Sequence, residues 1–117
     1  MKIVGATEYA VVLYRDKLPK FRNDGHMIFN WFEWKRDGKE YPKIHPTQKP
    51  VNLLKRLIEI FTDPDDVIID PVAGSASTLR AAAELGRKSY GFEIVKEYYN
   101  KANEKMLTFE NKYIELL

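Results

Sequence analysis

The sequence contains no cysteine, which excludes a disulfide framework, a thiolate zinc site and a thiol nucleophile. Only two histidines are present, His26 and His45, too few for a histidine-built metal centre. No apolar run approaches the roughly 18 residues of a membrane span. The N-terminus lacks the apolar stretch of a signal peptide. There is no internal repeat and no low-complexity tract. A soluble, cytoplasmic chain without metal is therefore the expectation. With 117 residues, it has room for one domain and one modest core.

Net charge is small, +2, but unevenly placed. Residues 1–60 hold 12 Lys/Arg against 7 Asp/Glu, and residues 61–117 hold 7 against 10. A basic first half suits a polyanion. On charge alone, two ordinary solvated faces are the favoured reading.

Residues 7–15 (TEYAVVLYR) are β-branched and aromatic, apolar on both alternating faces, and predict a strand covered on both sides. Residues 16–25 form a polar, turn-rich loop. Residues 26–34 (HMIFNWFEW) carry Phe29, Trp31, Phe32 and Trp34 and predict a strand or an irregular packed segment. Rings interleaved with Arg22, Lys35 and Arg36 suit base stacking, but core packing is the expectation for them. Trp31 and Trp34, three apart, cannot share a strand face. Residues 35–50 form a basic loop punctuated by three prolines, the better place for a DNA-backbone contact.

Pro50 suits the first position of a helix bearing Val51, Leu54, Leu57, Ile58 and Phe61 at helical spacing. Residues 62–66 (TDPDD) end it. Residues 67–70 (VIID) read as a short, continuously apolar strand ending in a carboxylate, 71–77 as a small-residue turn and 77–85 as a helix with Gly86 as its C-terminal cap. Residues 89–93 read as the next strand. A last helix is expected over 96–109, with Tyr98, Ala102, Met106 and Phe109 on one side.

Residues 67–93 thus spell a β-α-β unit. A carboxylate at a strand end, a glycine turn and a helix start build a ligand crevice at the carboxyl edge of a parallel sheet. Glu93 lies 23 residues after Asp70, near the spacing at which an acid holds a ribose in dinucleotide folds. Only Gly74 of a G-x-G-x-x-G pattern is present, so the residues alone leave a cofactor turn and a plain strand-to-helix turn both open. In His45-Pro46-Thr47-Gln48-Lys49-Pro50, the Lys49 ammonium and the first helical N–H groups are placed to receive a carboxylate. The same segment reads as a helix-entry loop whose Thr47 and Gln48 satisfy local backbone.

HPTQKP followed about 20 residues later by DPVAGSAST resembles the S-adenosylmethionine-dependent DNA methyltransferases that modify an exocyclic amine, N6 of adenine or N4 of cytosine. The family's usual forms are close to HPTQKP and DPFxGSGTT. The first is matched in full, the second with Val72, Ala76 and Ser77 as departures. GRKSYGFE at 86–93 also fits the family's next strand, and Tyr98 lies where an aromatic is usual in the next helix. The likeness is strong over 45–110 and looser over 7–15.

The resemblance implies an α/β, Rossmann-like methyltransferase fold with a partial sheet and flanking helices. It implies one partial domain over 1–117. Residues 1–44 would be a strand plus a remnant of the DNA-side recognition region, and 45–117 the S-adenosylmethionine-binding part. Asp70, Pro71, Ala73, Gly74 and Ser75 would line the methionine and ribose portion. Glu93 would accept from the ribose hydroxyls, Phe92 and Ile94 would flank the adenine, and Thr47, Gln48 and Lys49 would close over the methionine end. Arg22, Lys35, Arg36, Lys39 and Lys43 are the candidate contacts to double-stranded DNA. A positive φ at Ala76 would cost stability or cofactor fit.

The family grips its flipped target base with a [DNS]-P-P-[YF] tetrapeptide, and none occurs in these 117 residues. In a permuted arrangement of the family the catalytic half precedes HPTQKP. The chain resembles the C-terminal half of that arrangement, so no catalytic residue is assigned to it. A partner chain or N-terminal segment is expected to supply the tetrapeptide, and exposed sheet to drive self-association. The alternatives are a non-catalytic DNA-associated or protein-binding remnant, and an unrelated nucleotide-binding module.

Overall fold

The computed structural model describes residues 7–108 and 114–117. Helix α1 spans Val51–Phe61, strand β1 Val67–Asp70, helix α2 Ser77–Glu84, strand β2 Lys88–Gly91, helix α3 Lys96–Lys101 and strand β3 Ile114–Leu116. The strands lie in the order β1-β2-β3, all parallel, with Val67 opposite Lys88 and Ser89 opposite Ile114.

One apolar cluster joins Val51 and Ile58 of α1, Leu79, Ala81 and Ala82 of α2, Ala102 and Met106 beyond α3, and Leu116 of β3. It lies on a single face of the sheet, the face to which Ser89 and Gly91 point. Gly91 is needed there, since a Cβ would sit 2.7 Å from Leu79 Cδ1. The opposite face is bare: the paired residues Ile69 and Tyr90 are 64% and 39% exposed, and Val67 is 47% exposed. No strand among the described residues pairs with the outer edge of β1.

The element ends follow local chemistry. Pro50 stands one residue outside α1 as its N-cap, not inside as its first residue, because its ψ of 132° is extended. Its own side chain caps nothing. The N–H groups of Val51 and Asn52 are received instead by the carboxylate of Asp37, at 2.6 and 3.3 Å. Gly86 ends α2 with φ +71°, its N–H donating to Ala83 and that of Arg87 to Ala82, the two bonds of a Schellman motif. Arg87 is buried and donates to the Thr62 and Leu85 carbonyls, so its charge rests against the last carbonyls of α1 and α2.

Glu84 ties three segments together. It accepts from Tyr41 Oη of the 35–50 loop, Lys55 Nζ of α1 at 3.1 Å and Arg80 Nε of its own helix at 2.9 Å. Burial opposes its ionisation, but the hydrogen bonds from Tyr41, Arg80 and Lys55 outweigh it and hold its pKa below the ordinary value. Burial and the bond to Glu84 push the Tyr41 hydroxyl well above its ordinary value.

Four further expectations are corrected. Residues 7–15 are not a strand: they have no ladder partner, and Tyr9, Val11 and Leu13 are exposed. Residues 26–34 are irregular and not core, with Met27, Phe29 and Trp31 exposed. The β2 ladder assignment is Lys88–Gly91 where 89–93 is expected, although Glu93 N–H still donates to the Leu117 carbonyl beyond it. The last helix ends early. After Lys101 it widens into a π-turn over Ala102–Met106, closed by the Leu107 N–H donating to the Ala102 carbonyl. Arg80 Nη1 donates to the Met106 carbonyl in that turn, and Phe109 lies outside the described residues.

Candidate functional site

The site grows from the end of β1. Past Asp70 the β1–β2 pairing continues in the backbone: Phe92 N–H donates to the Asp70 carbonyl at 3.0 Å, and Ala73 N–H to the Phe92 carbonyl at 2.8 Å. These two bonds pin the turn to the neighbouring strand. The chain then needs left-handed backbone at Gly74, φ +54°, and again at Ala76, φ +62°, before α2 begins. Glycine adopts this at no steric cost, while Ala76 pays roughly 1–2 kcal/mol for it. Ala76 is fully buried, so its methyl recovers part of that in packing. The Ser75 and Ser77 hydroxyls hydrogen-bond each other at 2.8 Å.

Glu93 closes the turn from the β2 side. One carboxylate oxygen accepts the Gly74 N–H at 2.7 Å, and the other accepts the Val95 N–H at 2.7 Å. Each oxygen retains a lone pair for a further donor. Asp70 similarly accepts the Val72 N–H at 3.1 Å.

The 45–50 loop forms the opposing wall. Gln48 is its stitch: Oε1 accepts from the Ile44 N–H at 2.9 Å, and Nε2 donates to the Pro42 carbonyl at 2.8 Å. His45 packs on Tyr98, ring centroids 4.4 Å apart, and its Nδ1 accepts the Thr47 N–H at 3.2 Å. That contact makes Nδ1 an acceptor. The two donors expected to receive a ligand carboxylate are held internally: the α1 N–H groups by Asp37, and Lys49 Nζ by Glu8 at 2.7 Å.

Between these walls lies a cleft of about 750 Å³. All ten residues named from the sequence as cofactor-binding line it: Thr47, Gln48, Lys49, Asp70, Pro71, Ala73, Gly74, Ser75, Phe92 and Glu93. Ile94, which the resemblance also set beside the adenine, lines it too. The sequence reading missed His45, Leu54, Val72, Ser77, Thr78 and Leu117 as lining residues. His45 was readable, since it opens the same motif. Leu117 was not, because it reaches the cleft through β3.

The five candidate DNA contacts are not one patch. Arg36 and Lys43 share a second cleft beside the N-terminal end of α1. Arg22 lies at the other end, its N–H donating to the Ile60 carbonyl and its guanidinium 3.6 Å from Asp63. An 11-residue helix of roughly 16 Å separates the two positions. Lys35 pairs with Glu33 at 3.4 Å, and Lys39 is exposed. Among the described residues no cluster of His, Asp and Glu suits a metal, and no helix is long and apolar enough to cross a membrane.

The N6_N4_Mtase family, described as DNA methylase, matches residues 8–104, most of the chain. The chain belongs to the DNA methylase family. It is 39% identical over 95 residues to the DNA adenine methyltransferase YhdJ of Escherichia coli K12, covering 79% of this chain and 32% of that protein. It is 46% identical over 101 residues to the type II methyltransferase M2.DpnII of Streptococcus pneumoniae, covering 85% of this chain and 37% of the relative. Among solved structures it superposes on M1.HpyAVI in complex with SAM with a TM-score of 0.69 and 31% identity, over 79% of this chain and 46% of that one. This DNA methylase chain therefore spans about a third of the length of the relatives YhdJ and M2.DpnII. Its three parallel strands with helices on one face are a partial Rossmann-like methyltransferase sheet.

Proposed function

We propose that the cleft binds S-adenosylmethionine, and that the chain is the cofactor-binding portion of a DNA methyltransferase acting on adenine N6 or cytosine N4. The observation that carries this reading is the carboxylate of Glu93 bonded to the Gly74 N–H across the turn. It sets an acid with spare lone pairs at the mouth of a small-residue cradle. The residues fit the ligand. Asp70 and Glu93 offer negative charge to a sulfonium cofactor, and Phe92 and Ile94, 44% and 97% exposed, offer apolar surface to an adenine. Bound S-adenosylmethionine supplies an electrophilic methyl group. The chain's own residues bind and orient it: Glu93 accepts from the ribose hydroxyls, and the Gly74–Ser75 turn permits close approach. Lys49, already paired with Glu8, lines the methionine end.

Methyl transfer itself requires the [DNS]-P-P-[YF] segment that these 117 residues lack, so the chain by itself is inactive in this reading. A second chain or an N-terminal segment in the permuted arrangement carries that segment and covers the outer edge of β1 and the bare face beside Ile69 and Tyr90. Cytoplasmic double-stranded DNA is the other partner.

Titration of the purified chain with S-adenosylmethionine in a calorimeter tests the proposal, with Glu93→Ala as control. Saturable binding that the substitution weakens at least tenfold is the expected result. No binding by a chain whose circular dichroism shows it folded overturns the cofactor reading and leaves a non-catalytic DNA-associated or protein-binding role.

A further inference from the structure

We propose that the second cleft, which shares Thr47, Gln48 and Lys49 with the first as a common wall, takes one nucleotide of a DNA strand, its base against Trp34 and its phosphate between Arg36 and Lys43. The proposal rests on the DNA reading above and specifies where on this chain a strand is held.

The cleft measures about 680 Å³, the size of a small-ligand site. Trp34 lines it and is 38% exposed, so a face or edge of the indole is open to a ligand. Lys49 Nζ lies 4.8 Å from the centroid of that ring and is ion-paired with Glu8, which fixes the ring from one side and neutralises the ammonium. Two cations remain without a counter-ion. Arg36 has no hydrogen bond or ion pair among the described residues, and Lys43 donates only to the Pro46 carbonyl, at 3.2 Å. The nearby Asp37 forms no ion pair with either of them, its carboxylate oxygens accepting the N–H groups of Val51 and Asn52. An aromatic surface beside a free guanidinium and a loosely held ammonium matches a base joined to a phosphodiester. Because the wall is shared, a nucleotide seated here lies beside the cofactor cleft, where a methylated strand has to pass.

The test is anisotropy of a fluorescein-labelled oligonucleotide, single-stranded and duplex, titrated with the 117-residue chain at several salt concentrations. Arg36→Ala combined with Lys43→Ala is expected to weaken binding at least tenfold and to lower the salt slope by about 1, for the one phosphate the pair holds. Trp34→Ala is expected to weaken binding about tenfold at an unchanged salt slope, with Trp34→Phe restoring most of it. Trp31→Ala, at an exposed ring outside the cleft, is expected to change nothing. Equal losses from Trp31→Ala and Trp34→Ala overturn the proposal, as does unchanged binding after Trp34→Phe and Trp34→Ala alike. A folded chain that binds no oligonucleotide overturns it too, as does a mononucleotide that binds as tightly as the strand. Calorimetry with S-adenosylmethionine on the same variants separates the two readings. Retained cofactor binding with Trp34-independent DNA binding sinks only the second cleft. Lost cofactor binding with Trp34-dependent DNA binding sinks only the first.

Discussion

The Glu93 carboxylate and the Gly74 backbone N–H lie 2.7 Å apart, joining the end of β2 to the turn that leaves β1. A second bond, from the Val95 N–H to the other oxygen, makes the same side chain organise the chain on both sides of the crevice. Turn structure and the proposed cofactor binding therefore meet in one residue. Glu93→Ala leaves two N–H groups without an acceptor and is expected to cost roughly 1–3 kcal/mol of stability. Glu93→Gln keeps one acceptor oxygen and is expected to cost less. Thermal melts followed by circular dichroism rank the two, and equal melting temperatures for wild type and Glu93→Ala would refute the assignment.

Gly91 is a packing position. An added Cβ would lie 2.7 Å from Leu79 Cδ1 and 3.1 Å from Ala73 Cβ, and Leu79 is fully buried with no room to retreat. Gly91→Ala is expected to destabilise by about 1–3 kcal/mol. Combined with Leu79→Ala, the two losses should sum to less than their separate values, because the smaller side chain removes the clash. Urea unfolding of the four proteins in the cycle measures this, and strict additivity would contradict it.

The Glu84 cluster gives stability a pH dependence at both ends. Glu84 has a folded pKa below its ordinary 4.5, so its contribution is present above that value and is lost as pH falls through the folded pKa. Tyr41 has a folded pKa above its ordinary 10.0, so its contribution is present below that value and is lost as pH rises above it. Glu84→Gln should flatten the acid limb of a stability profile, and Tyr41→Phe the alkaline limb. Melting temperatures recorded between pH 3 and pH 11 check both, and unchanged limbs in the variants would show that other groups govern them.

The bare sheet face predicts association. Ile69 and Tyr90 present apolar surface beside an open strand edge, and such edges pair with other chains. The isolated chain is expected to self-associate in sedimentation at high concentration. Ile69→Lys combined with Tyr90→Lys should shift it towards monomer. A wild-type chain that stays monomeric would count against an exposed functional face.

Much of the site was legible in the sequence, for a local reason. The turn from Asp70 to Ser77 is specified by its own residues: a strand-ending carboxylate, a glycine with positive φ, and small side chains that leave a cleft open. Gly86 likewise marks its helix end through its own backbone. Residues 7–15 and 26–34 were misread for the opposite reason. β-branched and aromatic composition marks a segment able to join a sheet, but a strand exists only with a ladder partner, and none of the described residues offers one. Aromatics mark core only where something covers them, and Trp31 is left uncovered.

The sequence by itself determined the β-α-β unit and the small-residue turn between its first strand and helix, because backbone conformation and hydrophobic period are short-range properties. Only the tertiary structure decided which donors meet which acceptors. Asp37 caps a helix fourteen residues away, Glu8 holds Lys49, and Glu84 gathers Tyr41, Lys55 and Arg80. It also divided the basic residues, joining Arg36 and Lys43 across a cleft and sending Arg22 to the far end of α1. Contacts between residues distant in the chain depend on how the elements pack, and no window of sequence contains that geometry.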